Sequence, residues 1–280
     1  MKVALVHDFL VKLGGAERVL KSLADLFPEA PIYTLFYNQE KVGRVFPAER
    51  IKGLPLQKKY NRFGHRQRWL LPFMSSAIEQ LNFTGYDLVI SSSTALAHGI
   101  LTKPETFHLC YCHSPARFLW DWSHEYLADL RHGKLVKWFI GNYLCDLRKW
   151  DKIAADRVDY YLANSANVRA RIKKYYGRPA QVLYPPVRVN EFEVTSYHAD
   201  YWLIVSTLTS YKKIDLAIRA FNKMQRRLVI IGAGEDLPRL RNLAGPTIEF
   251  LGWRKDEEVK TYLANCRALV FPGEEDFGIT

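Results

Sequence analysis

The 280 residues include only four cysteines and three methionines. Cys145 and Cys266 stand alone, and Cys110 and Cys112 form one close pair. That spacing fits neither a zinc site nor a disulfide framework. All four are read as reduced, mostly buried thiols, with Cys110 and Cys112 expected on opposite faces of one strand. No window approaches the roughly 18 apolar residues that cross a bilayer. The N-terminus, MKVALVHDFL, lacks the apolar core and cleavage site of a secretory signal, so a cytoplasmic protein is expected. Low-complexity segments, short-period repeats and the G-x-G-x-x-G fingerprint are all missing. So is any nucleic-acid recognition module, and the strong positive charge needs another explanation.

What is present is a globular composition, 48% hydrophobic and 25% charged, with 14% aromatic residues. The aromatic content suits sugar stacking as well as an ordinary core. Net charge is +11. Nine Lys or Arg against the single acid Glu49 give +8 between Lys41 and Leu70. A one-sign field of this kind attracts anions. Trp69, Leu70, Leu71, Phe73 and Met74 follow it, a combination that suits contact with an anionic membrane surface. It equally suits a solvated surface helix with its apolar side turned inward, and Pro72 argues against one long helix there.

Short apolar runs alternate with helical stretches along the whole chain. Lys2 to Val6 reads as a strand, and Gly15 to Phe27 as a helix with Val19, Leu20, Leu23 and Leu26 on one face. Asp87 to Ser91 and Phe107 to Cys112 are strands, and Lys134 to Val158 is a long helix. Ser165 is placed to cap a helix through Tyr176 that ends at Gly177. Pro185-Pro186 and a polar stretch to Asp200 interrupt the pattern and are read as a linker. Strands near Trp202, Leu228, Thr247 and Ala268 then alternate with helices from Lys213, Glu235 and Asp256. The pattern predicts an α/β fold of two Rossmann-like domains, residues 1–188 and 199–280, each with a parallel sheet, facing a cleft. The second is shorter than a doubly wound domain usually is, and it is read as incomplete.

Ligands of such sheets bind beyond the carboxyl ends of the strands. Gly14-Gly15 opens the first helix, where bare amides and the helix dipole favour a phosphate; a plain tight turn would use the same residues. Lys212-Lys213 precedes a helix in the second half, where a lysine can neutralise a phosphate or simply be solvated. Gly232-Ala233-Gly234 is a second tight strand-to-helix turn. Glu274-Glu275-Asp276 lies beyond the last strand, where acids can hydrogen-bond sugar hydroxyls.

Taken in order, HDFLVKLGGAERV, CYCHSP, ANSANVRARIKKYYGRPAQVLYPPVRVNEF, VSTLTSYKKIDLAIRAF, LVIIGAGED, FLGWRKDEEV and LVFPGEEDFGIT resemble glycosyltransferase family 4, the retaining enzymes of the GT-B fold. The mannosyltransferases of bacterial surface-polysaccharide assembly are similar. The resemblance implies transfer of a hexose from a nucleoside diphosphate sugar to a glycan or lipid-linked acceptor. Gly14 and Gly15 would lie against the donor diphosphate and Lys212 would bind it. His113 would stand near the transferred sugar, although taken alone it reads equally as a core histidine. Glu275 matches the first Glu of the family's Glu-x7-Glu motif, and Phe277 and Gly278 would offer backbone amides. With no Asp-x-Asp pair, neither metal nor cofactor is expected.

Two departures stand out. Thr207 occupies the position where the family often carries an arginine, which leaves Lys212 without that partner at the diphosphate. The second Glu of the motif would fall beyond Thr280. Two other readings stay open: an inactive nucleotide-sugar-binding or membrane-docking fragment, and a GT-B sugar-nucleotide epimerase or phosphorylase.

Overall fold

The computed structural model describes residues 1–65, 67–130, 133–192, 195–196 and 199–280. They form two compact units, residues 1–186 and 187–278. Each is built on its own parallel sheet, the arrangement that alternating strands and helices dictate.

The first unit has seven strands: β1 (Val3–His7), β2 (Ile32–Thr34), β3 (Ile51–Gly53), β4 (Leu88–Ser93), β5 (Phe107–Cys112), β6 (Tyr160–Ala163) and β7 (Gln181–Val182). They are ordered β3-β2-β1-β4-β5-β6-β7, and every pair is parallel. Ala4, Leu5 and Val6 are wholly buried, as a central strand covered on both faces requires. The chain lays down β1 to β3 on one side and then returns to place β4 on the other side of β1. Between β1 and β4 the sheet therefore has a topological switch point.

Local signals explain the helix ends. Helix α1 (Gly15–Leu26) buries Val19, Leu20 and Ala24. Ser165 Oγ accepts the Val168 amide at 3.1 Å, starting the Ala166–Arg171 helix. A wider turn continues it through Tyr176, and Gly177 ends it with φ 68°. Pro72 falls in the first turn of the Leu71–Glu79 helix, where its missing amide has no intrahelical acceptor to lose. The Lys134–Ala155 helix is tied to the sheet through Asp151, which is fully buried. Its carboxylate accepts Trp120 Nε1 at 2.7 Å and lies 3.3 Å from His98 Nε2.

The basic segment is not a single helix. It runs through β3, the Gln57–Arg62 helix and a short turn at Gln67–Leu70. Val42, Phe46, Ile51, Leu56, Tyr60 and Leu70 are buried in the core, while Lys41, Arg44, Lys52, Lys58, Lys59 and Arg62 are exposed. Arg50 is used internally, donating to the Phe27 and Ala30 carbonyls at 3.0 and 2.9 Å. Arg66 of this segment lies outside the described residues, as do Glu193, Val194, Tyr197 and His198 of the linker.

Cys110 and Cys112 do not point to opposite faces. Side chains alternate along a strand with period two, so residues two apart share a face. Both sit in one buried cluster with Tyr161 and Val168. Cys266 is buried too, and Cys145 is exposed; all four are free thiols.

The second unit has β8 (Trp202–Val205), β9 (Leu228–Ile231), β10 (Ile248–Gly252) and β11 (Ala268–Leu269). The order is β10-β9-β8-β11, all parallel. Its switch point lies between β8 and β11, the counterpart of the β1/β4 point in the first unit. The Ile214–Met224 helix buries Ile214, Ala217, Ile218 and Phe221 against this sheet. Among the described residues no helix is long and apolar enough to cross a membrane.

Candidate functional site

The two switch points carry most of the residues that sequence reasoning singled out. In the first unit, His7 ends β1 and is paired in register with Ser92 of β4. Asp8 follows it, buried, and its carboxylate holds the turn after β4. Oδ2 accepts the Thr94 amide and hydroxyl and the Ala95 amide at 2.6, 2.8 and 3.1 Å. Oδ1 accepts the Leu96 and Ala97 amides at 2.6 Å each. A carboxylate is acceptor-only and can satisfy such a ring of donors.

Gly14 precedes α1 with ordinary extended backbone, φ −122° and ψ −165°. Its amide is not open, because Glu17 Oε2 accepts it at 2.8 Å. The other carboxylate oxygen, Oε1, lies 3.8 Å from His7 Nε2. His7 and Glu17 are both buried. Burial alone would push His7 down, but Glu17 and then Asp8 hold it above its usual value. Burial likewise opposes ionisation of Glu17, and His7 outweighs it, lowering the carboxyl. Each thus favours the charged form of the other.

His113 follows β5, its amide bonded to the Ser93 carbonyl at 2.9 Å. Asn164 Nδ2 donates to the His113 carbonyl at 2.9 Å. Ser92 Oγ lies 2.9 Å from His113 Nε2. Burial, and after it the His7 charge, push this imidazole down to about 3, so it is neutral at pH 7. Gly14, Glu17, His7, Ser92 and His113 thus form one connected chain of polar contacts. Sequence reasoning named its two ends as site residues; His7 and Glu17 lie inside the HDFLVKLGGAERV motif without an assigned role, and Ser92 lies in no motif.

In the second unit, Lys212 and Glu275 form an ion pair. Lys212 follows β8 and Glu275 follows β11, so the pair stands at the switch point. Gly273 explains how the loops meet. A Cβ there would lie 2.9 Å from the Lys212 carbonyl oxygen and 3.1 Å from its Cα. Lys213 takes left-handed backbone at φ 52° just before the Ile214–Met224 helix, an uncommon conformation for a residue with a Cβ. Gly232 at φ 143° packs on the Ser206 carbonyl, and Gly234 on that of Leu208. Phe277 is exposed, and Gly278 has φ 79°. Thr207 is exposed. Among the described residues no group of three or more His, Cys, Asp or Glu is placed to hold a metal ion.

Gly14, Gly15 and His113 thus belong to the first unit, and Lys212, Glu275, Phe277 and Gly278 to the second. The structure joins Gly14 to His113 through intervening side chains, and Lys212 to Glu275 directly.

Residues 13–191 match Glycosyltransferase Family 4, and residues 199–280 match Glycosyl transferases group 1. Comparison with curated proteins gives no match. Among solved structures the chain is similar to Anabaena HepE in complex with UDP. That likeness has 14% identity, covers 97% of this chain and 74% of that one, and has a TM-score of 0.60. A variant of S. aureus TarM, in complex with fondaparinux, alpha-GlcNAc-glycerol and UDP, is similar at 9% identity. It covers 96% of this chain and 80% of that one, with a TM-score of 0.56. AviGT4, a glycosyltransferase involved in avilamycin A biosynthesis, is similar at 16% identity, covering 100% and 72% with a TM-score of 0.50. At such identities the likeness shows the fold, which is GT-B.

Proposed function

The chain belongs to glycosyltransferase family 4, and from that premise we propose that it transfers a hexose from a nucleoside diphosphate sugar to a glycan or lipid-linked acceptor, with retention of anomeric configuration. Mannose is the sugar to test first, on the resemblance to surface-polysaccharide mannosyltransferases. The observation that carries the reading is the Lys212–Glu275 pair at the β8/β11 switch point. It puts a cation for the diphosphate beside a carboxylate for sugar hydroxyls, both in the position where parallel sheets take ligands. HepE and TarM are structures with UDP bound, which favours a nucleotide-sugar donor here.

The departing diphosphate must be stabilised as its bond to the sugar breaks. Lys212 supplies positive charge at the β8/β11 switch point. Glu275 orients the sugar, and the Phe277 and Gly278 amides add donors. The departing phosphate accepts the acceptor's proton on the face of attack, so no separate base is required. Activity is expected to be independent of added metal and unchanged by EDTA.

The test is a product analysis with a panel of nucleotide sugars and glycan acceptors. Free nucleoside diphosphate in step with a lengthened acceptor supports transfer. Epimerised donor with no diphosphate released would give the epimerase reading instead.

A membrane surface is the partner proposed for the first unit. Six exposed cations of the basic segment are joined by exposed Trp69 and Phe73. Tyr143 Oη donates to the Leu71 carbonyl at 3.0 Å, linking this segment to the Lys134–Ala155 helix. That helix exposes Leu135, Trp138 and Phe139 beside Lys134 and Lys137. Aromatic and basic residues together suit an anionic bilayer interface. Flotation with anionic vesicles, lost on replacing Trp138 and Phe139 by Ser, supports it; absence of flotation at low salt rejects it.

A further inference from the structure

The chain of contacts from Glu17 to His113 fixes more than position. His7 Nδ1 lies 2.9 Å from the Ser92 carbonyl oxygen and 3.2 Å from Ser92 Oγ. A carbonyl oxygen only accepts, so His7 Nδ1 carries a proton and donates to the Ser92 carbonyl and hydroxyl oxygens. Ser92 Oγ has one proton of its own, and among the described residues its one other partner is His113 Nε2, at 2.9 Å. The hydroxyl donates there, and Nε2 accepts.

We infer that His7 and Ser92 are positioning residues that hold His113 as its Nδ1–H tautomer, so that it offers the bound sugar a hydrogen-bond donor and cannot act as a base. The inference rests on the reading that His113 faces the transferred sugar. Among the described residues none accepts a hydrogen bond from His113 Nδ1, and the residue is partly exposed. A histidine with one nitrogen pinned presents the other in a defined proton state. With its Nδ1–H on that side, His7 gives the Ser92 hydroxyl no second acceptor there.

The experiment is nitrogen-15 NMR of the histidine side chains in the full chain, with steady-state kinetics alongside. At pH 7 the wild type is expected to show His7 carrying a proton on Nδ1 and His113 protonated on Nδ1 alone. Ser92→Ala removes the pinning proton, and His113 is expected to populate the Nε2–H form. The kcat should then fall about tenfold, the worth of one positioned hydrogen bond, while the donor KM changes less than twofold. Ser92→Thr keeps the hydroxyl and should restore both tautomer and kcat. The inference is overturned if wild-type His113 carries its proton on Nε2, or if its tautomer is unchanged by Ser92→Ala. A pinned tautomer combined with full activity in His113→Ala would keep the relay and refute the sugar-facing reading.

Discussion

Replacing Asp8 by Asn isolates what one buried carboxylate does for the first unit. The two oxygens of Asp8 receive four backbone amides and one hydroxyl, all between 2.6 and 3.1 Å. Asparagine keeps the shape but turns one acceptor into a donor. Whichever way the amide lies, at least two backbone N–H groups then face an NH2 group. Each stranded buried donor costs about 1–3 kcal/mol, so the pair costs about 4 kcal/mol. For a unit of this size 1 kcal/mol lowers Tm by roughly 2–4 °C, giving a fall of about 8–16 °C. Calorimetry of wild type and Asp8→Asn measures it directly. The turn after β4 should also loosen, read as faster amide exchange at Leu96 and Ala97. A Tm within about 2 °C of wild type would refute the claim that this carboxylate anchors the turn.

Other outcomes follow from the same packing. Gly232→Ala forces a Cβ to 1.8 Å from the Ser206 carbonyl oxygen at φ 143°, and should cost more than about 3 kcal/mol in denaturant unfolding. Gly85→Ala, at φ 84° with nothing nearby, should cost only about 1–2 kcal/mol. His108, paired with Ser91 Oγ at 2.8 Å, is pushed by burial down to about 3. The unfolded chain therefore binds its proton below about pH 6.5 while the folded chain does not, so stability falls as pH drops from about 6.5 toward 3. Between pH 7 and 5 this one group should remove about 2 kcal/mol. His108→Gln should show that much less acid destabilisation, and an unchanged pH dependence would contradict the assignment.

The parallel sheets and their connections were legible because they rest on local signals. Central strands such as β1 and β9 read as unbroken apolar runs, and Ser165 and Gly177 marked their helix ends by chemistry that depends on the nearest few residues. Helix ends set by packing were less exact. The Lys134–Ala155 helix stops before Val158, which is buried beside the sheet. The Ser123–Asp129 helix carried no pattern strong enough to predict it. Cys110 and Cys112 share a face, against expectation, because side chains along a strand repeat every two residues. At the site, Gly14, Lys212 and Glu275 were visible through turn and loop chemistry. The roles of Asp8, His7 and Glu17 were not, because each depends on partners 85 or more residues away or on burial that sequence does not encode locally. A His-Asp pair ending a strand, with a Glu three residues past a Gly-Gly turn's first glycine, is the signal that could have flagged them. No local signal shows Lys212 meeting Glu275 across 62 intervening positions, a contact made possible by Gly273 lying on the Lys212 backbone.

Equilibrium binding of nucleoside diphosphates to wild type, Lys212→Ala and Lys212→Ala/Glu275→Gln tests the central claim most directly. Loss of one charge-assisted contact should raise the Kd about 10–100-fold in Lys212→Ala. That variant also leaves the Glu275 carboxylate uncompensated, and two like charges about 6 Å apart at an effective dielectric of about 20 repel by roughly 3 kcal/mol. The double variant should therefore recover part of the lost affinity. Binding that is absent in the wild type at millimolar concentrations, or equal in all three proteins, would contradict a nucleotide-sugar site at the β8/β11 switch point.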